Sequence, residues 1–318
     1  MAHRVTIATL APRPPAATGP LGGADVERML AFWRSELAQV LPDQPDLIVL
    51  PEACDRFAGP SATEQQAYYR MRGDRVRDLF REIAHQHRTH IAYSAIRALD
   101  DGTWRNTTQL VGRDGQIAGL YNKTHTTIGE TTEGGILCGR EASILSCDLG
   151  RIACAICFDL NFDELRLHYA AARPDLVLFS SMYHGGLMQA TWAYTCRAHF
   201  VAAVAGLPSA IISPVGQPLA TTTNYFDYCV ARVNLDCRVV HLDYNWERLR
   251  ALKARYGSGV AIHDPGHLAS VLVTSEREDV SVEEMIREFE IALLDDYMAS
   301  SLAHHHDPAH IEPNTKGT

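Results

Sequence analysis

The sequence predicts an α/β protein built on mixed β-sheets. Short continuous apolar runs alternate with longer stretches whose apolar residues recur every three or four positions, the patterns of buried strands and amphipathic helices,. Several successive apolar runs are joined only by turn residues, such as Asp100-Asp101-Gly102 and Arg113-Asp114-Gly115. Such joints are too short for a helical crossover and make antiparallel neighbours, so the sheets are not purely parallel.

Taken in chain order, Arg4–Leu10 is the first strand, and residues 12–23, rich in Pro, Gly and Ala, form a loop. Residues 25–40 place Met29, Leu30, Trp33, Leu37 and Val40 at helical spacing, a stripe assigned to the core, with Asp25 as N-cap or first-turn acid,. Residues 46–50, Asp46 followed by a continuous apolar run, are stopped by Pro51 and hence a buried strand,. One long helix is expected over residues 63–87, then strands over 90–96, Trp104–Val111 and 117–121. Residues 152–156 make another buried strand, followed by a helix over 165–172, a strand over 175–180, a helix over 191–199 and a strand over 201–205. Residues 209–213 and 217–222 pair across Pro214-Val215-Gly216,. Strands over 228–235 and 239–242 precede helices over Trp246–Tyr256 and 282–299. No break in composition divides the chain. The expectation is one domain over residues 1–302, with a C-terminal extension from about 241 and a flexible tail over 303–318,.

With 318 residues, 46% of them hydrophobic, the chain is long enough for a sizeable core,. A net charge of −9 without a basic patch argues against nucleic acid,. No apolar run approaches the ~20 residues of a membrane helix, and the apolar start at Val5 is too short for a signal-peptide core,. The eight cysteines are scattered, several within apolar runs, which is cytoplasmic usage rather than a disulfide framework,. Cys154 and Cys157 match C-x-x-C, but residues three apart on a strand point to opposite faces, and no second ligand pair accompanies them,. The dinucleotide and nucleoside-triphosphate glycine motifs are missing from the sequence,.

Three polar residues occupy equivalent places. Glu52 follows the strand over 46–50, Lys123 follows 117–121, and Cys157 follows 152–156. In layered α/β folds the carboxyl ends of neighbouring strands gather at one rim, where sites form. Cys157 stands at a strand-to-helix elbow, where the next backbone N–H groups are free to face an oxyanion. A thiol, a carboxylate and an ammonium brought together suit nucleophilic acyl transfer: thiolate as nucleophile, carboxylate as proton acceptor, ammonium against the oxyanion.

Leu50-Pro51-Glu52, Tyr121-Asn122-Lys123-Thr124-His125 and Ile156-Cys157-Phe158-Asp159 resemble, in order, the three signature segments of the nitrilase superfamily, the carbon–nitrogen hydrolases. The likeness extends from about Val5 to Val240, through Asp101-Gly102 with Asn106-Thr107, through Arg197-Ala198, and through Ile211-Ile212-Ser213-Pro214-Val215-Gly216. It implies a four-layer α-β-β-α sandwich. It also implies Glu52 as general base and acid, Lys123 as oxyanion stabiliser, Cys157 as nucleophile and the Phe158 N–H completing the oxyanion hole. Members often use a further glutamate after the lysine. Glu130 and Glu133 both qualify, and Glu133 fits the glutamate-then-glycine spacing better, so it is expected to hold Lys123. The chain departs from the pattern at Asn161 and Asp163, where an arginine and a proline are common, and in the small residues over 126–129.

Other residues carry weaker signals. His125 reads as structural or as pocket wall, because a glutamate already supplies the base. Met182, Tyr183, His184 and Trp192, with Glu130, are candidate substrate contacts, though any of the first four could be packing alone,. His304, His305, His306 and His310 read as a solvated tail rather than a metal site,. The resulting expectation is hydrolysis of a small amide or N-carbamoyl compound through a cysteine thioester, with no cofactor or metal, in a homodimer or larger homo-oligomer by family likeness. The alternatives are a nitrile hydrolase and a non-catalytic binding module. The three intact residues count against the second.

Overall fold

The computed structural model describes residues 1–313, and its chain divides into two compact units, Val5–Val233 and Met1–Arg4 together with the chain from Asn234 onward. The larger unit holds the three signature residues. Its first sheet collects β1 (Arg4–Leu10), β2 (Leu47–Val49), β3 (His90–Ala98), β4 (Trp104–Val111) and β5 (Ile117–Asn122). The second collects β6 (Leu145–Cys147), β7 (Gly150–Ile156), β8 (Leu176–Ser181), β9 (His199–Val204), β10 (Ala210–Ile212) and β11 (Pro218–Thr221), and β12 (Tyr228–Asn234) returns to the edge of the first. The strand orders are β12-β1-β2-β3-β4-β5 and β11-β10-β9-β8-β7-β6.

Both sheets are mixed, as the turn chemistry predicts. The run β1-β2-β3 is parallel, and the hairpins β3-β4-β5 are antiparallel. In the second sheet β7-β8-β9 is parallel, with antiparallel partners at both ends. Five helices cover the unit: α1 (Gly23–Leu37), α2 (Ala62–Arg72) and α3 (Arg75–His87) on the first sheet, α5 (Asp163–Ala172) and α6 (Met188–Cys196) on the second, with the short α4 (Ile128–Thr132) between β5 and β6. Alternate strand residues face outward to helices: Ala8, Leu10, Ile48 and Ile91 meet Met29, Trp33, Leu37 and Phe80. On the second sheet Ala153, Ala155, Val177 and Phe179 meet Leu165, Tyr169 and Trp192. The opposite faces meet each other, and two buried side chains bond across them. Thr9 Oγ1 donates to the Ala202 carbonyl at 2.8 Å, and Ser180 Oγ to the Leu50 carbonyl at 2.8 Å. This is the α-β-β-α layering.

The expected helix over 63–87 is two helices. It breaks at Gly73, whose φ of +54° is a left-handed conformation that side chains disfavour, and Asp74 follows as N-cap of α3,. The sequence pattern runs through the break because both helices bury the same face of the first sheet: Tyr68 and Tyr69, then Val76, Leu79, Phe80 and Ile83.

In the smaller unit β13 (Cys237–His241), β14 (Val260–His263) and β15 (Ser270–Ser275) form an antiparallel sheet in the order β13-β15-β14. Helices α7 (Trp246–Tyr256), α8 (Val282–Glu288) and α9 (Leu294–His305) accompany it, and Val240, Leu252, Val273 and Met285 form its core. The single helix expected over 282–299 is thus α8 and α9. The segment from Phe289 to Leu293 separates them, with Glu290 at φ +50°. Of the expected tail, His304 and His305 continue α9, Pro308–His310 is a 3-10 turn, and residues 314–318 lie outside the described residues.

Candidate active site

The three strand ends converge. Glu52 lies just beyond β2, Lys123 follows β5 directly, and Cys157 follows β7 directly. All three line one cavity of about 390 Å³. Lys123 is 1% exposed, and its ammonium lies 2.9 Å from Glu52 Oε1 and 2.8 Å from Glu130 Oε2. Burial pulls the Lys123 pKa down, but Glu52, Glu130 and Cys157 together reverse this and leave it raised, so the ammonium keeps its charge,.

The backbone places this lysine firmly. Lys123 N–H donates to the Asn106 carbonyl at 2.8 Å, and its own carbonyl accepts from Gly139 N at 2.8 Å. A Cβ at Gly139 would come 2.3 Å from the Asn122 carbonyl oxygen, so only glycine lets the chain pass there,.

The glutamate that pairs with Lys123 is Glu130, where Glu133 was expected. Thr127 caps α4, and Glu130 occupies its third position: Thr127 Oγ1 accepts from Glu130 N at 3.2 Å, while Thr127 N donates to Glu130 Oε2 at 2.8 Å. This capping box turns the Glu130 carboxylate back toward Lys123. Glu133 comes after the last helical residue, exposed at the wall of the cavity, and makes no ion pair with Lys123. Burial raises the Glu130 pKa, but Lys123, the Thr127 N–H and Asn106 together lower it by more, so the carboxyl sits below its ordinary value and is ionised,.

Asn106 on β4, absent from the sequence-derived candidates, joins the two carboxylates. Its Nδ2 donates to Glu52 Oε1 at 2.8 Å and to Glu130 Oε1 at 3.2 Å, and its Oδ1 accepts from Ser94 Oγ at 2.8 Å. It is 1% exposed. A buried amide in mid-strand was the available signal, since such groups need partners.

Cys157 has φ +50°, a left-handed conformation held at the start of a 3-10 turn over Cys157–Asn161. This is the elbow the sequence predicts, and the strain is stored at the candidate nucleophile,. The thiol lines the cavity together with Glu52 and Met182. Burial first, and the Glu52 charge second, push its pKa up to about 12 despite Lys123. The resting residue is therefore a thiol beside a carboxylate. Phe158 lies in the first turn after it, where helix geometry leaves the N–H without an intrahelical acceptor,.

Asp159, fully buried, pins the elbow to the loop after Lys123. Its Oδ2 accepts from Ile156 N and Tyr121 OH, both at 2.8 Å, and its Oδ1 accepts from His125 N at 2.8 Å. His125 is structural: Nδ1 lies 3.1 Å from Asp159, Nε2 2.8 Å from Glu164, and its ring stacks on Phe162 at 3.9 Å.

The remaining candidates separate. Met182 lines the cavity. Tyr183 is half-buried, packed edge-on against Phe179, and lies outside the cavity lining. His184 is exposed, its Nδ1 accepting from Gly186 N at 3.1 Å. Trp192 is a core residue, with Nε1 donating to the Leu160 carbonyl at 3.0 Å; burying the largest side chain of α6 against the sheet outweighs any pocket role. Arg56, four residues after Glu52, lines the cavity and was not among the candidates. Among the described residues one group of three potential metal ligands comes within 4.8 Å, His90, Cys147 and Asp148. There the Arg113 guanidinium already bonds Asp148 at 2.8 Å and supplies the positive charge.

The carbon–nitrogen hydrolase family model matches residues 5–241. An omega-amidase of Arabidopsis thaliana, described as chloroplastic, is 26% identical over 172 residues, covering 45% of this chain and 46% of the relative. The chain thus spans about half the length of the curated relatives it matches first. Among solved structures, the C. elegans NitFhit protein is similar over 90% of this chain and 98% of its own, with a TM-score of 0.64 at 16% identity. An amidase from Nesterenkonia sp. is similar over 78% of this chain and 95% of its own, with a TM-score of 0.60 at 19% identity. Both share the layered fold.

Proposed function

Since this chain belongs to the carbon–nitrogen hydrolase family, we propose that it hydrolyses the C–N bond of a small amide or N-carbamoyl compound through a thioester on Cys157. The observation that carries this reading is the Lys123 ammonium held between Glu52 and Glu130 at the wall of a cavity that Cys157 also lines. The similarity to an omega-amidase and to the Nesterenkonia amidase agrees with it.

The proposed steps follow from the charges. Glu52, Glu130 and Lys123 sum to one negative charge, so a free thiolate would add a second in a buried site. Proton loss is therefore coupled to attack. Glu52 takes the thiol proton as Sγ bonds to the acyl carbon, and negative charge passes to the carbonyl oxygen. Lys123 and the Phe158 N–H face that oxygen, preorganised before charge develops. Glu52 then protonates the leaving nitrogen, the C–N bond breaks, and the thioester remains. Glu52 next deprotonates a water that attacks the thioester, returning the thiol and releasing the acid.

Ammonia release from N-carbamoyl amines, N-carbamoyl amino acids, aliphatic amides and nitriles tests the reading, with Cys157→Ala alongside. Turnover of one of the first three classes, lost in the variant, is the expected result. Appreciable turnover by folded Cys157→Ala refutes the nucleophile. Silence of the folded, reduced wild type across the whole panel refutes the activity.

A further inference from the structure

The charges lining the cavity are unevenly paired. Glu52 and Glu130 both close on Lys123. Arg56 is half-buried in the same wall, and among the described residues no carboxylate pairs with it. Its guanidinium donates one N–H to Met182 Sδ at 3.2 Å. Met182 and Cys157 line the same cavity, so Arg56 and the nucleophile border one space. A thioether is a weak acceptor, and a guanidinium has five N–H donors in a planar fork. A partly desolvated guanidinium with so little compensation is a site for an anion, and the fork matches a carboxylate bidentately.

We infer that Arg56 anchors a carboxylate on the substrate, so that the preferred substrates are short amides or N-carbamoyl compounds with a carboxylate remote from the scissile C–N bond. This substrate class rests on the amidase reading above. A single negative charge fits better than a phosphate dianion, because Glu52 and Glu130 outweigh Lys123 by one charge in the same cavity,. The cavity of about 390 Å³ sits near the small end of ligand sites and suits a short chain,.

The test compares kcat/KM for succinamate with that for butyramide, in wild type, Arg56→Gln and Arg56→Lys. Wild type should favour succinamate. In Arg56→Gln the ratio should fall roughly ten- to hundredfold, the scale of one charge-assisted hydrogen bond, mostly through KM. Arg56→Lys should restore part of it, which a purely structural role would not do. Equal ratios in wild type and Arg56→Gln overturn the inference while leaving the amidase reading intact. Calorimetric binding of succinate to the same proteins needs no turnover. Arg56-dependent succinate binding without hydrolysis of any amide would uphold the anion site and reject the amidase reading. Tighter binding of inorganic phosphate than of succinate overturns the carboxylate assignment. If Arg56→Gln does not fold, Arg56→Met, whose unbranched stem still packs on Met182, replaces it in every arm.

Discussion

Lys123 Nζ lies 2.8 Å from Oε2 of Glu130, a residue seven positions further along the chain that a capping box turns back on it. The second carboxylate lets Lys123 stay charged without belonging wholly to Glu52. Removing it takes away one of the two carboxylates that hold the ammonium in place for the proposed oxyanion,. Glu130→Gln should therefore lower kcat by roughly 10²–10³, on the scale of one preorganised electrostatic contact. Glu133→Gln should lose far less. Steady-state kinetics of the pair check this, and equal losses would return the accessory role to Glu133.

The Cys157 thiol, pushed up to about 12 by burial and by Glu52, should show no thiolate absorbance near neutral pH. A pH titration read as the difference between wild type and Cys157→Ala checks this. Glu52→Gln removes one cause of the raised value, so its thiol should ionise at lower pH than in wild type. Turnover should still be lost, because the proton acceptor is gone.

The His125 pKa is raised by its hydrogen bond to Asp159 and also by Glu164, against the lowering effect of burial. A raised histidine adds stability that is complete below its unfolded value of about 6.5 and fades as pH rises through the higher folded value. The melting-temperature gap between wild type and His125→Gln should be widest below about pH 6 and narrow above neutrality. A gap that is flat with pH would show that His125 acts only through its stacking on Phe162.

Asp55 and Arg72 form a buried ion pair under the Glu52 turn, and Arg72 also donates to the Ile96 carbonyl at 2.7 Å. Arg72→Ala leaves a buried carboxylate unpaired and should cost about 3–5 kcal/mol in denaturant unfolding. Arg72→Ala with Asp55→Ala should recover part of that loss, since no lone charge then remains buried. A double variant less stable than Arg72→Ala would contradict this.

The sequence by itself determined the strands, the mixed character of the sheets and the three residues at the strand ends, because each is written locally. An apolar run marks a strand, a proline or a polar residue marks its end, and Glu52, Lys123 and Cys157 sit at those ends. Tertiary structure decided everything that depends on which distant groups face each other. Glu130 rather than Glu133 reaches Lys123 because of the phase of a single helical turn, which a residue count does not contain. Asn106 meets Glu52 across 54 residues, and Asp159 meets His125 across 34. Trp192 has the composition of a pocket residue but lies in the core, because its position on α6 faces the sheet. Arg56 lacks a carboxylate partner only because the fold brings none beside it, a property that no pattern along the chain records.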